Sequence, residues 1–277
     1  MQELAKEIIL RAKKNVFTGN LGNHLTSFKG DGIDFAEIRD YNFGDDVRKI
    51  NWKATAKSGE LKLNEFNEER ELHIVVACMI SGGLNFGTNR LKQDVMAELV
   101  ALLGFSAIAN SDRFELILYS NRVERHFKPT KSSGIVEAGV EEVLSINPIG
   151  KKADYRSFVN YIQSRLKKRA VVIILGDFLE ENIDLSSLIR HQLYAIKIRD
   201  HFEEELNLLQ GDIRLINPTN LESMEVTINK SVIKDYQKEL LAHDTRLKEH
   251  FLEYRVISST IYTIDDLYLR AVQIFKG

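Results

Sequence analysis

From Leu72 onward nearly continuous apolar runs alternate with amphipathic stretches, and this alternation limits the possible folds more than any other feature of the sequence. The runs are Ile74–Ile80, Phe114–Tyr119, Ala170–Leu175 and Leu193–Ile198; between them lie Leu91–Ile108, Val136–Leu144, Tyr155–Leu166 and the short Leu185–Ile189. A strand that is apolar at successive positions has to be covered on both faces. The pattern therefore predicts an α/β fold, a doubly wound and mostly parallel sheet flanked by helices, with Ile74–Cys78 as a central strand. Arg113–Ser120 and Arg122–Phe127 are separated by little more than Asn121, which predicts an antiparallel hairpin at a sheet edge. Further on, two strand-like pieces between Ile213 and Ile228 flank Asn217-Pro218-Thr219-Asn220. A long helix over about 231–254, a strand near 256–262 and a last helix over 264–275 complete the expectation.

The segment before Leu72 reads differently. Leu4, Ile8, Ile9, Ala12 and Val16 recur at helical spacing with charges between them, so the chain opens on an amphipathic helix. That helix lacks the uninterrupted apolar stretch of a signal peptide, and no segment reaches the roughly 18 apolar residues that a membrane span needs. Turn signals follow at Gly30-Asp31-Gly32 and Asn42-Phe43-Gly44-Asp45-Asp46, then a strand pattern over Glu60–Phe66. We expect residues 1–70 to form a helix and a β-rich extension. Residues 71–277 should form the α/β domain, with a hairpin and long helix inserted near 202–255. Cys78, the one cysteine, sits inside an apolar run as a small hydrophobe, and the expected compartment is the cytoplasm. A net charge of -2 offers no basic surplus, which makes nucleic acid a disfavoured partner.

Catalytic signatures are scarce. No His-Glu-x-x-His or Gly-x-Ser-x-Gly pattern occurs, and His243 and His250, on one helical face, read as packing histidines. The loop Ser81–Thr88 joins a buried strand to a helix, and its Gly82 and Gly87 have the spacing of P-loop glycines, but the phosphate-binding lysine is missing. The expectation is a non-enzyme. An enzyme would have to use Ser81, Asp154 and Asp177 in a deep polar pocket at the sheet edge. A nucleic-acid binder would have to present Lys151, Lys152, Arg165, Lys167, Lys168 and Arg169 as one basic face.

One cluster is more specific. Gly32, Phe35, Arg39, Tyr41, Gly44, Asp45, Asp46, Arg48, Ile50, Trp52, Lys53 and Ala56 stand in the pattern of the bacterial and archaeal domain of unknown function 58 family. Phe86-Gly87, Gly176-Asp177-Phe178 and Ile198-Arg199-Asp200, with Glu203, Glu205 and Leu206, are similar to further landmarks of that family. The resemblance implies a von Willebrand factor A-like domain and partnership with a MoxR-type ATPase, hence an adaptor or chaperone accessory. Such domains hold Mg²⁺ with an Asp-x-Ser-x-Ser loop, a Thr and a second Asp. Aligned on Phe86-Gly87, this chain has Met79 at the first Asp, Ser81 and Gly83 at the two Ser, Ala153 at the Thr and Asp177 at the last Asp.

A thioether, a glycine and an alanine are poor or absent ligands for a hard cation, so the metal site is expected to be degenerate, without a cofactor. Asp154 beside it leaves a weak Mg²⁺ site open. The function expected is a protein–protein interaction module whose partner surface is the carboxyl edge of the sheet, with Leu84 and Phe86 exposed and Lys151 and Lys152 supplying charge. For the cluster from Arg39 to Trp52 two readings stand: an ion-paired network with Trp52 as a buried anchor, or an exposed recognition surface.

Overall fold

The computed structural model describes residues 2–18, 34–67, 71–206 and 211–275. The turn signal expected at Gly30-Asp31-Gly32 lies outside these residues, as does the Gly32 of the family pattern. Two compact units divide the chain, residues 28–72 and the remainder.

The larger unit is built on a six-stranded sheet. Its strands are β3 (His73–Met79), β4 (Arg113–Tyr119), β5 (Val123–Thr130), β6 (Val171–Gly176), β7 (Gln192–Arg199) and β10 (Ile257–Tyr262), in the order β10-β7-β6-β3-β4-β5. Every pairing is parallel except β4 with β5, which are antiparallel. The expected central position of Ile74–Cys78 and the edge hairpin are both found. So is a doubly wound α/β arrangement, because after β4 and β5 the chain crosses back to the other side of β3.

Alternation within β3 sorts its side chains between two layers. Val75, Ala77 and Met79 face a core shared with helices α5 (Tyr155–Arg165) and α7 (Lys230–Glu253), where Phe158, Ile162, Leu247 and Phe251 are buried. On the opposite face lies α3 (Lys92–Ala109), which packs against β3, β4 and α4 (Ser133–Ser145). Helix α3 is buried along almost its whole circumference. A helix that is apolar all round needs a second cover beyond the sheet, and α1 (Gln2–Thr18) provides it, burying Ala5, Ile8, Ile9, Ala12 and Val16. Arg11 of α1 adds an ion pair at 2.7 Å to Glu98, which Arg90 also contacts at 2.8 Å. The boundary expected near residue 70 is therefore corrected in one respect: α1 belongs with the α/β unit, because the sheet alone cannot cover α3.

The inserted elements are the short helix α6 (His201–Glu205), the hairpin β8 (Gly211–Ile216) with β9 (Ser223–Ile228), and α7. The chain ends on α8 (Leu267–Phe275). Among the described residues, no helix is long and apolar enough to cross a membrane.

The smaller unit pairs β1 (Asp34–Asp40) with β2 (Lys62–Asn67) in antiparallel register, with a 3-10 turn (Val47–Lys49) and the helix α2 (Trp52–Ser58) between them. The short helix was not expected. Asn51 caps its first turn, accepting from the Ala54 amide at 2.9 Å, and Gly59 closes it at φ +76°, the left-handed conformation that glycine adopts without strain.

Burial and the neighbouring Arg190 push the His191 imidazole down to about 4. A folded pKa below the unfolded value of about 6.5 gives stability that is full above that value and lost as pH falls through 4. Urea unfolding of the full chain should therefore show stability falling between pH 6.5 and 4, with a smaller fall in His191→Asn. Ile8→Ala should cost about 2–5 kcal/mol and Leu10→Ala, on the exposed face of the same helix, less than about 0.5 kcal/mol. Equal costs would mean that α1 does not cover α3.

Candidate functional site

Strand order reverses between β3 and β6, and in doubly wound sheets ligands bind at the carboxyl ends of the strands flanking such a point. Ser81 leaves β3 there and Asp177 leaves β6. The two side chains are buried and meet, with Ser81 Oγ donating to Asp177 Oδ2 at 2.7 Å. Gly83 lies against the same carboxylate, and a Cβ at this position would overlap Asp177 Oδ2. Met79 belongs to the apolar layer under α5, below the loop, and Ala153 is buried in the same layer. Asp154 accepts from the Ser157 amide at 3.0 Å and so caps α5.

The residues present do not fit a Mg²⁺ ion of von Willebrand A type. Met79 offers a buried thioether, and Gly83 has no room for a side chain because Asp177 fills it. Ala153 has no side-chain oxygen, and the two remaining side-chain oxygen donors are hydrogen-bonded to one another.

Backbone from a distant segment closes the place further. The tip of the β8–β9 hairpin brings the Pro218 carbonyl to the Gly150 amide at 2.8 Å and against Gly82, where a Cβ would overlap that carbonyl. Gly82 N donates to Lys151 O at 2.9 Å. Two adjacent loops and the hairpin tip thus use one another's backbone polar groups. Nothing in the residue types of Asn217–Asn220 announced this contact beyond a turn signal.

The residues expected to face a partner at this edge are rearranged. Leu84 is fully buried, a correction to its expected exposure: the 3-10 turn Gly82–Asn85 folds it inward. Phe86 is about a third exposed and meets Phe202 in a tilted contact at 6.0 Å between centroids, with Lys92 over its ring. Lys151 is bound to Glu124 at 2.8 Å, and Lys152, largely exposed, reaches Glu180 at 3.3 Å. His243 and His250 tie α7 to the segment after β6, through Glu180 O at 3.1 Å and the Leu185 amide at 3.1 Å.

The later family landmarks converge on a network that residue-by-residue reading missed. Asp200, buried after β7, accepts from the Thr88 amide at 2.9 Å, Thr88 Oγ1 at 3.0 Å, Thr263 Oγ1 at 2.6 Å and the Phe202 amide at 3.0 Å. Burial raises its carboxyl, but these donors outweigh that and hold it below the usual range. Glu203 accepts from the Asp200 amide at 3.0 Å and pairs with the buried Lys92 at 2.5 Å. The Asp-x-x-Glu spacing of 200–203 is a capping-box signal that could have been read from the sequence.

The six residues of the nucleic-acid reading do not form one face. Lys151 and Lys152 precede α5, while Arg165 ends it and Lys167, Lys168 and Arg169 follow, so they lie at opposite ends of a helix roughly 16 Å long. Arg165 is also turned onto the fully buried Glu115 at 3.1 Å, which His73 and His126 each contact at 2.6 Å. A surface cavity of about 390 Å³ lies elsewhere, lined by Glu181–Asp184, His250, Glu253 and Tyr254, not around Ser81 and Asp177.

In the smaller unit, Arg39 forks onto Asp45 at 2.7 and 2.9 Å, and Asp45 also accepts from the Asn42 amide at 2.8 Å. Arg48 forks onto Asp46, which caps the 3-10 turn. Hydrogen bonds from Arg39 and Arg48 hold the two carboxyls at about 2. The ion-paired reading of the charged residues is what the geometry shows. Trp52, expected under that reading as a buried anchor, is corrected: it is 68% exposed, and the half-buried positions of α2 are Ala54 and Thr55.

Residues 37–246 match the family described as "Protein of unknown function DUF58". Relatives named only as uncharacterized proteins, from Mycobacterium bovis and Mycobacterium tuberculosis, are 24% identical over 230 residues, covering 80% of this chain and 72% of theirs. Among solved structures, the conserved hypothetical protein BatB from Bacteroides thetaiotaomicron aligns at a TM-score of 0.47 and 12% identity, over 73% of this chain and 96% of that one. An aerotolerance-related membrane protein from Bacteroides fragilis aligns at 0.44 and 11%, over 73% and 96%.

Millimolar Mg²⁺ should leave the Tm unchanged, since a native-state ligand raises it by mass action. A calorimetric Kd below about 10 µM, roughly 7 kcal/mol of binding, would contradict the mismatch. Asp200→Ala should cost at least about 1–3 kcal/mol by leaving buried donors unpaired, and a urea midpoint equal to the parent's would show the network to be incidental.

Proposed function

Because this chain belongs to the DUF58 family, we propose that it works as a non-enzymatic protein–protein interaction module, an accessory or adaptor of a MoxR-type AAA+ ATPase in the cytoplasm. The observation that carries the reading is the Ser81–Asp177 pair. Ser81 and Asp177, the hydroxyl and carboxylate that leave β3 and β6 at the switch point, are bonded to each other and buried, with Gly83 against the carboxylate. A nucleophile or metal ligand has to reach something outside the fold, and both of these side chains are buried.

The tie to a MoxR-type ATPase comes from the resemblance in the Arg39–Ala56 and Phe86–Leu206 landmarks. Those landmarks divide into two roles. One set, Asp200 and Glu203, ties the loops of the sheet edge together, with Asp200 bound to the nearby Thr88. The other, Arg39, Asp45, Asp46 and Arg48, stiffens a turn that leaves an aromatic side chain in solvent. Rigid loops that hold an exposed tryptophan suit recognition of another protein better than chemistry on a small molecule.

Affinity purification of the tagged full chain from its own cells should recover an AAA+ ATPase, identified by mass spectrometry and retained with ATP present. Recovery without any ATPase, or a turnover by the chain that is abolished in Ser81→Ala, would contradict the proposal.

A further inference from the structure

Residues 47–59 contain Arg48, Lys49, Lys53 and Lys57 and no acidic residue, although Asp and Glu outnumber Lys and Arg over residues 28–72 as a whole. Arg48 is taken up by Asp46, and Lys49 lies close enough to Asp45 and Asp46 to help hold their carboxyls down. Lys53 and Lys57 make no ion pair or hydrogen bond among the described residues.

Helix α2 sorts these residues by face. Ala54 and Thr55 turn inward, where Thr55 Oγ1 accepts from the Lys62 amide at 3.0 Å. Trp52 and Ala56, one turn apart, form an exposed apolar row, and Lys53 and Lys57, also one turn apart, form an exposed basic row beside it. Just before them in the chain, Val47 and Phe43 are exposed as well. Leaving a tryptophan, a phenylalanine and a valine in water within ten residues is costly, and exposed apolar groups rimmed by charge mark interaction sites.

We propose that the outer face of α2 is the docking surface for an acidic, apolar-bearing segment of the partner protein. Trp52 receives an aliphatic or aromatic side chain, and Lys53 and Lys57 meet Asp or Glu one helical turn apart. The surface rests on the adaptor reading above for the identity of the partner, but its chemistry is read from α2 alone. A long polyanion such as nucleic acid would also meet the acidic remainder of the same unit, whereas a short acidic segment needs only the α2 face.

The test uses the full chain and the fact that Trp52 is its single tryptophan, so intrinsic fluorescence reports this surface alone. A random peptide library displayed on phage is panned against it, and the enriched peptides are synthesised and titrated. Enriched sequences should be rich in Asp and Glu with apolar residues between, and should move Trp52 emission to shorter wavelength. They should bind at least about tenfold more weakly to a Lys53→Glu/Lys57→Glu variant whose circular dichroism and Tm match the parent.

Peptides without acidic enrichment, or peptides whose affinity the double variant leaves intact, would overturn the proposal. So would an oligothymidylate that shifts the emission more tightly than any selected peptide, or a concentration-dependent shift that reveals a second copy of this chain on the same face. The adaptor reading is separable. If an AAA+ ATPase co-purifies equally with the double variant, the surface is wrong and the adaptor reading stands. If no ATPase is recovered but selected acidic peptides bind through Lys53 and Lys57, the surface stands and the adaptor reading falls.

Discussion

The organisation of the sheet edge depends on one buried carboxylate. Asp200 gathers donors from Thr88, Phe202 and Thr263, so a single side chain fixes the loop after β3, the start of α6 and the turn after β10 relative to one another. A buried charge is tolerated only when its hydrogen bonds are supplied, and here four donors supply them. Lys92, fully buried at the start of α3, is neutralised in the same neighbourhood by Glu203. This anchoring gives the loop after β3, the start of α6 and the turn after β10 a common reference.

That rigidity is spent inward. The switch point between β3 and β6 is where a doubly wound sheet ordinarily admits a ligand, yet Gly83 leaves no space beside Asp177, Met79 completes the apolar layer below, and the Pro218 carbonyl closes the backbone of the loops above. Even the two glycines have positional reasons: a side chain at Gly82 would meet the hairpin, and one at Gly83 would meet the carboxylate. The consequence for function is a transfer of exposure. Polar groups that could have served a metal are consumed within the α/β unit, while the smaller unit uses its own ion pairs to hold apolar side chains in water.

Much of this was legible before any coordinates. The apolar runs carry their own strand signal because a strand covered on both faces cannot alternate, so β3, β6 and β7 and the helices between them were readable as a series. The mismatch at Met79, Gly83 and Ala153 was readable too, since it depends on residue type and on a fixed spacing from Phe86-Gly87. Burial of individual loop residues was not. Leu84 looks like an exposed loop leucine until the 3-10 turn folds it under, and Lys151 looks like a free charge until Glu124 appears beside it. Such contacts join residues 27 or more positions apart, as Thr88 with Asp200 also does, and no local pattern encodes them. Helix α2 is hidden in the β-rich expectation for the extension because that expectation rests on glycines and turns, whereas Asn51 as a cap and Gly59 as a stop mark a helix of about two turns. The membership of α1 was hidden for a similar reason: its own amphipathic pattern says that it packs, but the need for it lies in α3.

The carboxyl edge of the sheet is closed by the chain's own atoms, and the proposed docking surface lies on the smaller unit. Hydrogen exchange of the full chain, measured by mass spectrometry alone and with an acidic peptide selected against it bound, addresses both halves at once. The expected result is slow exchange at Gly82 and Gly150 in the free chain, no change on binding over residues 81–90, 150–154 and 177–180, and new protection over 43–57. Protection confined to those three sheet-edge loops, with 43–57 unaltered, would contradict it.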